Sequence, residues 1–380
     1  MAGFFILKMI DLKLKEYKNV YLVGGAVRDY LLGREIEDLD FVCKCEEKDF
    51  RDFAKNFFEK NFKIKPFLFG KKLPQTYRGV YKRKFIDLTI LQKNFKFDAE
   101  RRDFTINSIY YDFEKNKFID PLNGIEDLRN KIIKVSSRSS FADDPLRILR
   151  TFRFYGILNG FKIEKKTLIL AKENSHLIEN VASERIKEEL DRIILSKKRY
   201  VIFKMLNNLS IINKIFKNFK VENLTLLKRI SENLDEYEKK IFTYTLLFPE
   251  DLKRIKPSNR EINCVKKVYN NYKKVLTIND ENEIMEFIFK NGDYVNLIFK
   301  FCDTFYNIKN RDKFIKLLKK YNSQRDKIYS FINGNDILSL GIKKGKKIGE
   351  ILNKVRFLYY KGEIKTKDEA IFYIKKNFFG

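Results

Sequence analysis

The hydrophobic periodicity of this chain changes near Asp144, and that change decides what it can fold into. Up to about residue 135, short β-branched or aromatic runs bounded by turns or charges predict strands: "NVYLV" (19–23), "LDFVCK" (39–44), "KPFLFG" (65–70) and "KFIDLTIL" (84–91). From Asp144 onward "PLRILRTFRFYGIL", "TLILAKENSHLI", "SERIKEELDRIIL" and "YVIFKMLNNLSIINKIF" place apolar residues at helical spacing. The fold class expected is therefore α+β, with a small mixed-sheet head followed by an all-helical remainder. We divide it into a head over 1–135, a helical neck over 136–200 and a basic helical body and tail over 201–380.

With 380 residues and 44% hydrophobic content, the chain is globular and long enough for two or more domains. No apolar run reaches the length of a membrane span. The N-terminal "MAGFFILKMIDLK" has neither a preceding basic region nor a small-residue cleavage site, so it reads as the first piece of the fold and the protein as cytoplasmic. Cys43 and Cys45 are spaced for neither a zinc knuckle nor a disulfide. A single histidine, His176, excludes histidine-rich metal sites and argues against a Ser-His-Asp reading. Chemistry falls to carboxylates, Arg, Lys and Asn. The net charge of +28 favours a polyanionic partner, although a Lys-rich composition competes as its source. Roughly two-thirds of that charge lies from residue 196 to the end.

Within the head, Gly24-Gly25 follows the first strand and precedes "AVRDYLL", a short helix that Gly33 is placed to stop. Backbone amides at such a turn can cradle phosphate, with Arg28 in reach. Asp38 and Asp40 are two residues apart, so on an extended chain both carboxylates point to one face. Held that close they need a cation, and Mg²⁺ bound by carboxylates and substrate phosphates suits them. Alone, D-x-D also fits a solvated strand end or a glycosyltransferase holding a nucleotide sugar. Asp87, flanked by apolar residues on another strand, needs a partner, which a shared metal would provide. "DDPLRILR" puts Pro145 at a first helical position, with Asp144 as N-cap. On a helical wheel Asp143, Asp144, Arg147 and Arg150 share one side, opposite Leu146, Ile148, Leu149 and Phe152.

Six motifs occur in order: "GGAVRD", "DLD", "RRDFTINS" (101–108), "DPLNGIEDLRNK" (120–131), "DDPLRILRTFRF" (143–154) and "SERIKEEL" (183–190). Across residues 18–195 the chain resembles the bacterial-type (class II) tRNA nucleotidyltransferase and poly(A) polymerase family, in the DNA polymerase β superfamily. The resemblance implies a nucleotidyltransferase head that uses Mg²⁺ held by Asp38 and Asp40, with Asp87 as third catalytic carboxylate. It implies that Gly24, Gly25 and Arg28 contact an incoming triphosphate, and that Arg102, Asp103 and Asn107 hold the ribose and sugar edge. Asp144 and Arg147, with Arg150 beside them, would read the base of CTP or ATP. Cytosine and adenine both present an exocyclic amine beside a ring-nitrogen acceptor, whereas uracil and guanine do not. Asp143 stands where family members often have Glu. The implied partner is tRNA, whose acceptor arm and 3′ end the basic body would hold by backbone and shape.

The resemblance leaves product length open. Only "LTILQKNFKFDAE" separates Asp87 from Arg101, whereas CCA-adding relatives usually carry a longer flexible loop there. A CC-only enzyme is therefore the alternative, unless another segment such as the basic, turn-rich "GKKLPQTYRGVYKRK" (70–84) moves instead. A poly(A) polymerase and a non-catalytic RNA-binding module are further alternatives. Modest length and the lack of a long basic tail weigh against the first, and the intact acidic pair against the second.

Overall fold

A computed structural model describes Leu14 and residues 18–70 and 74–378. The N-terminal apolar stretch 1–13 and residues 71–73 of the 70–84 stretch lie outside the described residues. Contacts divide the chain into two compact units, Met1–Lys217 and Asn218–Gly380.

The first unit is built on a seven-stranded mixed sheet. In chain order its elements are β1 (Val20–Val23), α1 (Gly25–Leu31), β2 (Leu39–Cys43), α2 (Phe50–Phe62), β3 (Phe67–Phe69), β4 (Thr76–Tyr81), β5 (Lys84–Ile90), α3 (Phe95–Glu100), β6 (Tyr110–Asp112) and β7 (Lys117–Ile119). The strands lie in the order β3-β4-β5-β2-β1-β6-β7. Among the described residues of this sheet only β2 and β5 pair in parallel, with Asp40 opposite Asp87. That crossover is made by α2 and the β3–β4 hairpin, and within the 70–84 stretch Thr76–Tyr81 form β4 and Lys84 opens β5.

Side-chain alternation gives the sheet two different faces. Ile86 and Leu88 of β5, with Phe41 of β2, are buried on one face. There α2 buries Phe50, Phe57, Phe58 and Phe62, and Phe41 meets Phe57 edge-on with ring centroids 5.3 Å apart. Each fully buried ring stabilises the layer by about 1.5–3 kcal/mol. The residues in between, Asp40, Asp87 and Thr89, turn to the other face, where the cleft lies.

Helices complete the unit: α4 (Gly124–Arg129), the one-turn α5 (Ser140–Asp143), α6 (Arg147–Ile157), α7 (Lys165–Glu173), α8 (Ser183–Leu195) and α9 (Arg199–Asn208). Strand-like sequence was expected to stop before Asp144, but β9 (Lys162–Ile163) pairs in parallel with β8 (Ile132–Ile133). Two residues per strand are too few to leave an alternating signature.

Every regular element described in the second unit is helical: α10 (Glu236–Leu247), α11 (Asn259–Thr277), α12 (Glu281–Asn291), α13 (Val295–Phe305), α14 (Arg311–Ser330), α15 (Gly334–Leu338), α16 (Lys346–Lys361) and α17 (Lys367–Phe378), with short 3₁₀ turns between. Asp235 with Glu238, and Ser258 with Glu261, form capping boxes that start α10 and α11. No helix among the described residues is long and apolar enough to cross a membrane.

Candidate active site

The turn after β1 brings backbone against carboxylate. Gly24 has a φ of 80°, and a Cβ there would stand 3.3 Å from Asp40 Oδ2 and 3.7 Å from an Arg102 nitrogen. A side chain at this position is both strained and crowded, which leaves an open cradle beside Asp40. Asp38 lies just before β2, exposed, and its Oδ1 accepts the Phe85 amide at 2.8 Å. Burial, then neighbouring Asp87, and also Asp38, push the Asp40 carboxyl up to about 6 against the pull of Arg102 and Arg78. A cation fits this set, because charge crowding at Asp40 is what a cation relieves. Among the described residues no three His, Cys, Asp or Glu side chains converge as a closed metal cage. An ion here would draw its remaining ligands from substrate oxygens and water, as Mg²⁺ commonly does.

Asp87 pairs with a side chain on the neighbouring strand. Arg78 of β4, its register neighbour, donates to both its oxygens at 2.7 Å. A bidentate arginine satisfies a carboxylate that is buried on a strand. Asp87 stays beside Asp40 on the cleft face of the sheet, with both oxygens turned to Arg78. Nothing in the sequence pattern singled out Arg78, because β4 reads as a turn-rich stretch.

"RRDFTINS" crosses the cleft as a buried polar chain. Arg28 donates to both oxygens of Asp29 at 3.0 and 2.6 Å and to Asn107 Oδ1 at 2.8 Å. Asn107 donates to Asp103 Oδ1 at 3.0 Å, and Arg150 lies 2.7 Å from Asp103 Oδ2. Burial alone would raise the Asp103 carboxyl; Arg150, Asn107, Arg147 and the Phe104 amide outweigh it and hold the group below its ordinary value. Arg102 is anchored on Asp98, which also accepts the Tyr110 hydroxyl at 2.7 Å. Arg28 is thus a strut as much as a free cation, stacked 5.0 Å over Phe154.

"DPLNGIEDLRNK" stands behind this chain as its support. Asp120 accepts the amides of Gly124 and Ile125 at 2.7 and 2.9 Å, capping α4, and Thr105 donates to Asp127 at 2.6 Å. A Cβ at Gly124 would lie 2.1 Å from the Thr105 carbonyl oxygen, so only glycine allows this approach.

The far wall is α6. Its regular turns begin at Arg147 rather than at Pro145, yet Asp144 Oδ1 still accepts the Leu146 amide at 3.3 Å. Asp144 is extended, with φ −147° and ψ 97°, and this break corrects the helical wheel. Asp143 belongs to α5, exposed and bonded by Ser139 at 2.9 Å, and does not share the face of Asp144, Arg147 and Arg150. Asp144 Oδ2 meets Arg185 at 3.0 Å, and Arg147 reaches Ser140 and the Arg101 carbonyl at 3.1 and 2.6 Å. Ile148, Leu149 and Phe152 are fully buried behind them.

These walls enclose a cleft of about 530 Å³ that Gly24, Gly25, Arg28, Asp38, Asp40, Arg102, Asp103, Asn107, Asp144, Arg147 and Arg150 all line. Of the residues selected from sequence, Asp87 and Asp143 are not among those that line it. Sequence reasoning passed over Arg101, Arg153 and Arg192, which also line it. The repeat Arg147, Arg150, Arg153 at three-residue spacing was a legible signal for one of them. Arg153 pairs with Glu189 at 3.1 Å, and burial holds its guanidinium down at about 10. A larger cavity, about 830 Å³ between Phe289, Tyr294 and Phe357 of the second unit, contains none of the selected residues.

Comparison with known proteins places two family models on the chain. The Poly A polymerase head domain matches residues 20–134, and the probable RNA and SrmB- binding site of polymerase A matches residues 160–222. A CC-adding tRNA nucleotidyltransferase from Synechocystis is 26% identical across 93% of this chain and 92% of the relative. A CCA-adding enzyme from Lactococcus lactis subsp. cremoris is 35% identical over 47% of this chain and 46% of its own length. Among solved structures, the Thermotoga maritima CCA-adding enzyme complexed with tRNA superposes with a TM-score of 0.72 at 27% identity, covering 97% of this chain and 95% of that one.

Proposed function

This chain belongs to the class II tRNA nucleotidyltransferase and poly(A) polymerase family, and from that premise we propose that it adds all or part of the CCA end of tRNA from CTP and ATP. One observation carries the reading: a single cleft sets the Asp38–Asp40 pair and the open Gly24 turn opposite Asp144 and Arg147. The terminal hydroxyl of the RNA attacks the α-phosphate, and pyrophosphate leaves. Amides of the Gly24-Gly25 turn take the phosphates, with Arg28 fixing Asn107 beside them. Arg102, Asp103 and Asn107 meet the ribose and sugar edge. Asp144 and Arg147 read the base once their bonds to Arg185 and Ser140 are exchanged, and Arg150 holds Asp103 in line. Asp87 acts through Arg78 and through its charge beside Asp40. Asp38 and Asp40 would hold Mg²⁺, which would supply charge to activate the attacking hydroxyl and to neutralise the leaving phosphates. A cytoplasmic setting accompanies this reading.

The test offers the protein tRNAs ending before CCA, after C and after CC, each with one labelled nucleotide. Incorporation of C or A, and not of U or G, is expected; no incorporation into any tRNA would sink the reading. A ladder of many A residues would make it a poly(A) polymerase instead.

The connection after β5 favours a narrower second reading, addition of C and C only. Only residues 91–94 connect β5 to α3, bending at Lys93 and Asn94, and Asn94 caps the helix through the Phe97 amide at 2.9 Å. The buried Asp98 and Ala99 fix that helix to the cleft wall, which leaves little chain for a mobile lever. Rapid stoichiometric addition of one A to tRNA ending in CC would overturn this narrower reading.

A further inference from the structure

The cleft face of the sheet continues past the carboxylates onto an uncovered aromatic surface. Register places Phe67, Arg78, Asp87 and Asp40 in one row across β3, β4, β5 and β2. Two residues along, Phe69 and Phe85 share that face because side chains alternate on a strand. The Arg78 guanidinium, held by Asp87, lies 3.5 Å from the centre of the Phe69 ring and 4.8 Å from that of Phe85. Both rings are nonetheless 45% exposed, and Phe67 is 51% exposed. The Phe85 amide bonds Asp38, so this ring begins where the acidic pair ends.

Exposed phenylalanines in such number on one patch call for a partner. Charge indicates which. The stretches 63–70 and 76–85 contain Lys63, Lys65, Lys82, Arg83 and Lys84 and no acidic residue. Lys82 and Arg83 are exposed at the β4–β5 turn. Aromatic faces interleaved with cations suit single-stranded nucleic acid, whose bases stack while its phosphates meet the charges. An acidic protein segment would use the cations but leave the flat ring faces without a stacking partner.

We propose that Phe85 and Phe69, braced by Arg78, form the platform on which the 3′-terminal bases of the acceptor RNA stack, delivering its hydroxyl to Asp38 and Asp40. The inference rests on the nucleotidyl-transfer reading of the same cleft. It adds where the RNA end lies: on the β5 side of the carboxylates, opposite the Asp144 and Arg147 wall. The rings position the RNA and take no part in the chemistry.

The test combines Phe85→Ala and Phe69→Ala with two readouts. The first is binding of a fluorescent single-stranded RNA pentamer to the full chain, which needs no catalysis. The second is KM for tRNA against KM for CTP. Each substitution should weaken pentamer binding and raise the tRNA KM by roughly five- to a hundredfold, with the CTP KM unchanged and Phe85→Trp restoring both. A tRNA whose terminal nucleotide is abasic should suffer with the wild type and show no further loss with Phe85→Ala. Wild-type values in both alanine variants, or additive losses with the abasic tRNA, would overturn the platform. So would a dimer in sedimentation that Phe67→Ala dissolves, since a second copy would then own the surface. If the wild type binds the pentamer through Phe85 yet extends no tRNA, the platform stands and the catalytic reading falls.

Discussion

At the scale of single residues, the cleft separates groups that hold charge from groups that read pattern. Asp38→Ala or Asp40→Ala should abolish nucleotide addition and leave tRNA affinity close to wild type, because neither carboxylate attracts a polyanion. Near-normal turnover in either variant would remove the pair from the chemistry. Arg147 brings a planar fork to the cleft, and a lysine cannot reproduce two parallel donors. Arg147→Ala should therefore cost about 1–3 kcal/mol of discrimination for C and A over U and G; an equal fall with all four nucleotides would make the residue only a prop for Ser140 and Arg101. Asp103 offers a pH test. Its folded pKa lies below the ordinary 3.8, so the folded state binds fewer protons there, and its contribution is full above that value and lost as pH falls through the folded pKa. Asp103→Asn should lower stability at pH 7 by about 1.5–3 kcal/mol, and the gap to wild type in urea midpoints should close as pH drops below about 4. A gap independent of pH would mean that shape rather than charge holds Arg150.

Among elements, legibility followed length and pattern. The strands β1, β2 and β5 and the long helices were visible because alternation or helical spacing persists over several residues, and the mixed-sheet head with a helical remainder followed from them. β4 was hidden because Lys, Arg, Gly and Pro around it read as turn chemistry, and β6 and β7 because three residues each give no period. Losing β4 meant losing Arg78 and with it the partner of Asp87. The cleft residues that sequence selected came from resemblance and turn chemistry, whereas Arg101 and Arg192 are defined only by where the fold carries them. "DPLNGIEDLRNK" shows the reverse case, a conspicuous motif whose side chains brace others. Asp120→Ala removes both acceptors at the start of α4 and should cost about 1–2 kcal/mol. Its melting temperature should fall while kcat in the cold stays near wild type. A selective loss of kcat with unchanged melting would instead put Asp120 in the reaction.

Across the whole molecule, the +28 charge has two possible origins, a Lys-rich composition spread over every solvated face or a surface shaped for phosphates. The second unit offers a way to tell them apart. In α14, Phe314, Leu317, Leu318 and Tyr321 are buried, which leaves Lys313, Lys316 and Lys320 exposed along the other side at roughly one per turn. A solvated face would need no more than scattered charge. A cation that meets a phosphate releases a counterion, and each such contact contributes about 0.9 to the slope of log affinity against log salt on a duplex. Replacing Lys313, Lys316 and Lys320 by alanine should therefore weaken tRNA binding and flatten that slope by about 2–3. Replacing Lys48, Lys55 and Lys60 of the first unit removes the same charge from another exposed surface, where Lys48 pairs with Glu46 and Lys55 with Asp52. That control should leave the slope close to wild type. Equal flattening by both triple variants would mean that affinity follows net charge alone, and an unchanged slope in the α14 variant would place the RNA on a different face of the body.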